Sequence, residues 1–262
     1  MNILDKIKML RNIASTYENW AQIILGRYGL LGKGFIVCNL KNGLKIKMRK
    51  KSMDYAAMSE VFLRRDYDKF FEVKKDDIVI DVGAQIGAFS VLAGNKDAKV
   101  YSFEPEKNNF ELLNENVKAN LFTKKIKCFN FAIDAKKGTG YLNISKNLGG
   151  HSFFNEVATI GSNQKIDLEK QKIEKITLKD IFDINKLNRC DFLKMDCEGA
   201  EYDVIFNTSK KILEKIEKIS MEYHVLDENN EIKMKEFLEK NGFKVTMTKQ
   251  SDIGTGMIYA VR

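Results

Sequence analysis

From Asp76 onward, short apolar runs alternate with helix-like segments, and that alternation restricts the fold more than any other property of the chain. Ile78 to Val82, Val100 to Phe103, Ile126 to Ile133, Phe192 to Met195 and Ile219 to Tyr223 read as strands, with helical spacing over 87–94, 107–120, 200–216 and 229–241. Strands joined through helical crossovers are parallel neighbours, because the crossover returns the chain to the same end of the sheet. Two last runs, Phe243 to Met247 and Met257 to Val261, are separated only by a short Gly-containing loop, so they should pair antiparallel. The expected fold is α/β: a mostly parallel seven-stranded sheet with helices on both faces and an antiparallel C-terminal hairpin.

The segment before this alternation is different in kind. Residues 1–75 hold 16 basic and 7 acidic side chains, whereas the whole 262-residue chain has 44 and 36, so the remainder carries 28 and 29, a net −1. Ile3, Leu4, Ile7, Leu10, Ile13, Ala14, Tyr17, Ala21, Ile24 and Leu25 recur at steps of three and four. This is the spacing of one amphipathic helix ending near Gly26 to Gly34. Such a helix packs on the body or on a second copy, giving a homodimer, with a membrane-surface helix as the alternative. Phe35 to Leu40 and Leu44 to Met48 flank Lys41-Asn42-Gly43, a hairpin signal, and a helix is expected from about Asp54 to Phe71. Two units result: an extension over 1–75, and a body over 76–262 with an insertion at 134–178 that should cover the ligand end of the sheet.

Four cysteines without a Cys-x-x-Cys pair, and only two histidines, argue against a structural zinc site. No run reaches the roughly eighteen apolar residues that span a bilayer. With no recognisable signal peptide, a cytoplasmic location with reduced thiols is expected.

Val79-Ile-Asp81-Val-Gly83-Ala84-Gln85-Ile-Gly87-Ala-Phe89-Ser90 is the most informative segment. A buried strand enters a glycine-punctuated turn and then a helix, which lets a ligand approach backbone N–H groups at the helix start. It is not the dinucleotide fingerprint, which would place glycines at Gln85 and Ala88. Asp81 suits a ligand carrying a cation near the turn. At the end of the next strand stands Glu104, where one carboxylate can accept both hydroxyls of a ribose.

Asp81-Val-Gly-Ala-Gln-Ile-Gly87, Phe103-Glu-Pro105 and Leu193-Lys-Met-Asp196-Cys-Glu198-Gly-Ala-Glu201 together resemble the FkbM family of S-adenosylmethionine-dependent methyltransferases. The resemblance extends over about residues 52–225, beginning with Ser52-Met-Asp54 and Glu60. It implies the class I methyltransferase fold, Rossmann-like, and an O-methyltransferase acting on a hydroxyl of a sugar, a glycan or another small-molecule natural product. By position, Asp81, Gly83 and Gly87 would hold the methionine portion of the donor with Ala84, Gln85 and Phe89 beside them. Glu104 and Pro105 would hold the ribose, and Ala132 and Ile133 would line the adenine. The family commonly has Asn where this chain has Gln85, and either amide can donate a hydrogen bond.

Removing a proton from the attacking hydroxyl calls for a base, for which Asp196, Glu198 and His224 are the candidates. Glu198 and Glu201 have the plainer reading of acids in the first turn of a helix. His151 and Ser152, in a glycine-flanked loop, and Glu222 are candidates for the acceptor site. Asp196, Glu222 and His224 could alternatively hold Mg²⁺, a reading not favoured. The single proline, Pro105, excludes methylases built on Asn-Pro-Pro-Tyr or Pro-Cys motifs, and its fixed φ should hold Glu104 at the strand end. The basic front suits an anionic acceptor, and it motivates the alternative of an RNA methyltransferase. A third reading, a non-catalytic donor-binding protein, is opposed by the intact Asp81, Glu104 and Asp196.

Overall fold

A computed structural model describes residues 3–145, 151, 152, 168–197, 199–225, 230–249 and 255–262. Two helices, α1 (Ile3–Thr16) and α2 (Trp20–Arg27), stand where one was expected. The break has a tertiary cause. Tyr17 bridges to Leu40 and Glu18 N donates to Asn39 O at 2.8 Å, so the chain pairs with the following hairpin instead of continuing its own helical ladder.

That hairpin is β1 (Phe35–Asn39) and β2 (Lys45–Arg49), antiparallel, with Phe35 opposite Arg49. Only Gly43 in its turn is left-handed (φ 88°), and Gly43 N donates to Leu40 O at 2.9 Å. The connection is therefore a three-residue loop and not a two-residue turn with two left-handed positions. The open edge of β2 is covered by side chains. Asn116 and Asn120 each accept from one β2 N–H and donate to one β2 carbonyl, supplying the bonds a third strand would make.

Next, α3 (Asp54–Met58) runs into one turn of π-helix (Ser59–Arg64). Arg65, left-handed at φ 55°, ends it well short of the helix to Phe71 that the sequence suggests. The buried carboxylate of Asp54 accepts from Arg49 N and from its guanidinium at 2.7–2.9 Å, tying this helix to the hairpin.

In the body, β3 (Ile78–Val82), α4 (Ala88–Asn95), β4 (Lys99–Phe103), α5 (Lys107–Ala119) and β5 (Ile126–Phe129) alternate as expected. Then come β6 (Ala132–Ile133), β7 (Gly138–Ser145), β8 (His151–Ser152), β9 (Leu168–Ile176) and α6 (Leu178–Ile184). The chain closes with β10 (Phe192–Met195), α7 (Glu201–Phe206), α8 (Lys210–Leu213), β11 (Lys218–His224), α9 (Asn230–Lys240), β12 (Lys244–Lys249) and β13 (Thr255–Val261). The helix expected over 200–216 is thus two.

Seven strands form the main sheet in the order β12-β13-β11-β10-β3-β4-β5. The chain reverses only at β13, which runs antiparallel to both β11 and β12. Residues 126–133 do not make one strand: β6 leaves the main sheet and pairs with β9 in a second, four-stranded sheet ordered β6-β9-β7-β8. The described part of the insertion is this second sheet. Alternate residues of the central strands feed two cores, Val79, Val100 and Phe192 on one face and Ile80, Tyr101 and Leu193 on the other. Burial on both faces explains why these strands read as continuous apolar runs. The first core also takes in Ile13, Tyr17, Ile46 and Met58, so the basic front packs directly on the sheet's helical layer. Among the described residues no helix is long and apolar enough to cross a membrane.

Candidate active site

A cavity of about 450 Å³ opens at the carboxyl ends of β3, β4, β10 and β11. It falls within the roughly 300–1,000 Å³ typical of small-molecule sites. Its walls come from Gly83 to Gln85, from Glu104 and Pro105, from Ala132 and Ile133, and from Lys194, Asp196 and Cys197. Met53, just before α3, and Glu60 and Arg64 on the π-turn close one side, and Leu142 of the second sheet closes another.

Gly83 makes the floor possible. Its φ is 71°, and a Cβ there would lie 1.7 Å from the carbonyl oxygen of Asp196. The turns after β3 and β10 therefore touch backbone to backbone, which no larger residue allows. Gln85 follows, also left-handed at φ 49°, and its N–H donates to Glu104 Oε2 at 2.8 Å. Glu106 N donates to the other oxygen, Oε1, at 2.8 Å. Glu104 is 5% exposed, and burial pushes its carboxyl up to about 7 against the help of these two N–H groups. The strand end is clamped by amides as well as by proline. Asn130 Nδ2 donates to the carbonyls of Glu104 and Pro105, and Gln171 Nε2 donates to that of Pro105 at 2.9 Å. Phe103, which lines the cavity, stacks on Phe129 at 4.9 Å beside Ala132 and Ile133.

Two expected donor contacts lie elsewhere. Asp81 is fully buried beneath the turn, outside the cavity wall; its Oδ2 accepts from Ser90 Oγ at 2.5 Å and its Oδ1 lies 3.4 Å from Lys194 Nζ. Its charge is spent on an internal cation. Gly87 also stays out of the wall: a Cβ there would lie 2.5 Å from Leu113 Cδ1, so it serves the packing of α4 on α5. Phe89 does line the cavity, edge-on to Tyr67 at 5.8 Å.

Lys194 sits between the two halves of the site. Its Nζ donates to Gly83 O at 2.6 Å and lies 3.9 Å from Asp196 Oδ2 and 4.9 Å above the Tyr67 ring. Burial works to lower its pKa, but the carboxylates of Asp81 and Asp196 outweigh that and hold it above its ordinary value.

At the other end three carboxylates converge: one oxygen from each of Glu60, Asp196 and Glu222 lies within 4.8 Å of the others. Tyr67 Oη donates to Asp196 Oδ2 at 2.7 Å, and burial followed by the nearby charges of Asp196, Glu60 and Glu222 keeps the phenol firmly protonated. Arg64 Nη2 lies 3.3 Å from Glu60 Oε1. Burial first, and then the charge of Asp196, raise the Glu60 carboxyl to about 7. His224 lines the same end, with Nδ1 3.6 Å from Oε1 of the fully buried Glu201, which also accepts from Cys197 N at 2.8 Å. Glu201 is thus a buried support, more than a helix-end acid.

Of the predicted residues, Gly83, Ala84, Gln85, Phe89, Glu104, Pro105, Ala132, Ile133, Asp196, Glu222 and His224 share this one cavity. Glu198 lies outside the described residues. His151 and Ser152 are described only as the backbone of β8, paired with Ile144 and Asn143. The Mg²⁺ alternative is altered: Glu60, not His224, joins Asp196 and Glu222. Arg64 and Lys194 already counter that cluster's charge. Sequence reasoning missed Tyr67 and Arg64, and noted Glu60 only as a motif residue.

The sheet order, the antiparallel β13 and a cavity at the strands' carboxyl ends are those of the class I methyltransferase fold. Residues 81–245, more than half of the chain, match the Methyltransferase FkbM domain, and the chain belongs to that family. It is similar to "Methyltransferase sdnD" of Sordaria araneosa, at 26% identity over 188 residues, 62% of this chain and 72% of that protein. Its fold resembles a solved FkbM methyltransferase from Methylobacillus flagellatus KT, with a TM-score of 0.53 and 15% identity, over 78% of this chain. The chain spans 47% of the length of that second protein.

Proposed function

We propose that the chain is an S-adenosylmethionine-dependent O-methyltransferase acting on a hydroxyl of a sugar, a glycan or another small molecule. The observation that carries this reading is one continuous cavity joining Glu104 to the carboxylates around Asp196. The donor suits the residues present. Each Glu104 oxygen holds one backbone N–H and keeps a lone pair for a ribose hydroxyl. Gln85 lines the same cavity, and its Oε1 is buried without a hydrogen-bond partner, an acceptor left over by the fold. Phe103, Ala132 and Ile133 offer an apolar slot for a planar base.

S-adenosylmethionine, when bound, supplies an electrophilic methyl group on a sulfonium that transfers in line. The chain's own residues align the attacking oxygen and take its proton. Asp196, fixed by Tyr67, and Glu60, whose carboxyl titrates near neutrality, form the proton-accepting end. Arg64 and His224 border the space for the acceptor. An anionic acceptor, recognised through the basic front, fits the same reading.

Calorimetry with S-adenosylmethionine, followed by turnover on a panel of hydroxyl compounds with the methylated atom located by NMR, tests the proposal. Donor binding and a new methyl ether, with turnover unchanged in chelator, are expected. No donor binding, or a methyl delivered to nitrogen or carbon, would overturn it. RNA binding that weakens steeply with salt, accompanied by RNA methylation, would replace it with the nucleic-acid reading.

A further inference from the structure

We infer that the N-terminal unit docks the protein on an anionic membrane surface. Charge in the front is concentrated further still: residues 1–51 hold eleven Lys and Arg against two Asp and Glu, a net +9. The same stretch, besides the side chains it gives to the core, leaves several large apolar ones exposed. Leu30 is 71% exposed and Tyr28 67%, and Phe35, Trp20, Leu25 and Leu31 stand out beside them. A contiguous segment this apolar and this basic matches the two demands of a bilayer interface, apolar area to insert and cations for the headgroups.

The presenting element is built, not frayed. Leu30 N donates to Leu25 O at 2.9 Å, Gly32 N to Gly29 O at 3.2 Å and Lys50 N to Gly34 O at 2.9 Å, while Lys50 Nζ holds the carbonyl of Leu31 at 2.8 Å. The backbone of the loop is thereby largely satisfied, which is what lets a loop enter a region poor in water. Beneath it the unit is rigidly seated: a Cβ on Gly26 would meet Tyr55 Oη at 2.6 Å, so α2 lies close against α3. Arg27 and Lys33 flank the two leucines in sequence, and Lys50 and Lys51 reach the same loop through space, Lys50 Nζ at 2.8 Å from Leu31 O and Lys51 Cδ at 3.3 Å from where a Cβ on Gly29 would stand. Lys51 also leads directly to Met53, which is 47% exposed and lines the cavity. Docking through this face brings the cavity mouth to the membrane plane, where an acceptor with a lipid tail would present its hydroxyl. The docking itself stands whether or not the methylated atom is oxygen.

Trp20, the single tryptophan, is 41% exposed at the start of α2 in the same N-terminal unit and serves as the reporter. The full chain should float with vesicles of phosphatidylglycerol and phosphatidylcholine, with a blue shift of tryptophan emission, and should not float with phosphatidylcholine alone. Replacing both leucines (Leu30→Ser with Leu31→Ser) should weaken vesicle binding by about tenfold or more. Lys33→Ser should weaken it by about fivefold. Both variants should keep the parent's melting temperature and donor affinity, because these side chains are exposed. Equal partition onto neutral and anionic vesicles, or none onto either, would overturn the inference. So would a parent that is dimeric by light scattering, ignores vesicles and becomes monomeric in the leucine variant; the face would then be a self-association surface. RNA binding lost in Lys33→Ser without any vesicle binding in the parent would likewise overturn it.

Discussion

Replacing Glu104 with Gln separates what this residue does for binding from what it does to folding. Two backbone N–H groups point at the carboxylate, one at each oxygen. An amide keeps one oxygen and turns an NH₂ against the other N–H, so one buried donor loses its partner at a cost of about 1–3 kcal/mol. A ribose hydroxyl loses a charged acceptor as well, worth roughly 1.5–3 kcal/mol, so donor affinity should fall by about ten- to a hundredfold. Stability moves the other way. A carboxyl raised from its ordinary 4.5 to about 7 binds its proton more tightly in the folded chain than in the unfolded one. Between those values stability falls as pH rises, and above about 7 the ionised group costs the fold roughly 3 kcal/mol. Gln has no such titration. The stability of Glu104→Gln relative to the parent should therefore improve by about 2–3 kcal/mol between pH 5 and pH 8. Calorimetry gives the affinity, and denaturant unfolding of both proteins at the two pH values gives the stability difference. Donor affinity within about threefold of the parent would refute the ribose role. A stability difference independent of pH would refute the burial argument.

Other substitutions probe the acceptor end. Tyr67→Phe removes the donor to Asp196 Oδ2 and should lower kcat by about tenfold, the worth of one charge-assisted hydrogen bond, with donor affinity intact in calorimetry. In Glu60→Gln the kcat against pH profile should lose the rise near 7 that deprotonation of this carboxyl gives the parent; an unchanged profile would reassign the base. Gly83→Ala forces a Cβ onto the Asp196 carbonyl and should abolish donor binding, read by calorimetry, together with several kcal/mol of stability by denaturant unfolding.

The body was legible in the sequence because its central strands are buried on both faces, and a long apolar run has few other places to go. Gly83, Glu104 and Asp196 were legible for a related reason: each sits at a strand end where the chain must turn toward the ligand side. What escaped depended on distant partners. Tyr67 reaches Asp196 across 129 positions, from irregular chain that carries no periodic signal. The sequence offers Asp81 as a ligand contact and gives no sign that Lys194, its register neighbour across the β3–β10 pair, stands 3.4 Å from it as a counter-ion. The helix break at Tyr17 and the early stop at Arg65 were likewise decided by a bridge and a backbone reversal that local propensity does not encode.

The cavity's lining runs from Met53 to Thr255. Its floor depends on β3 lying beside β10, with Asp81 paired to Lys194 across more than a hundred residues of intervening chain. Contacts of such long sequence separation carry a large loop-closure cost and complete late in folding. The pocket is therefore a property of the finished molecule. A growing chain on the ribosome has nothing to offer the donor until the last strands have emerged, and bound donor should protect amides of the whole sheet from exchange, β12 as much as β3.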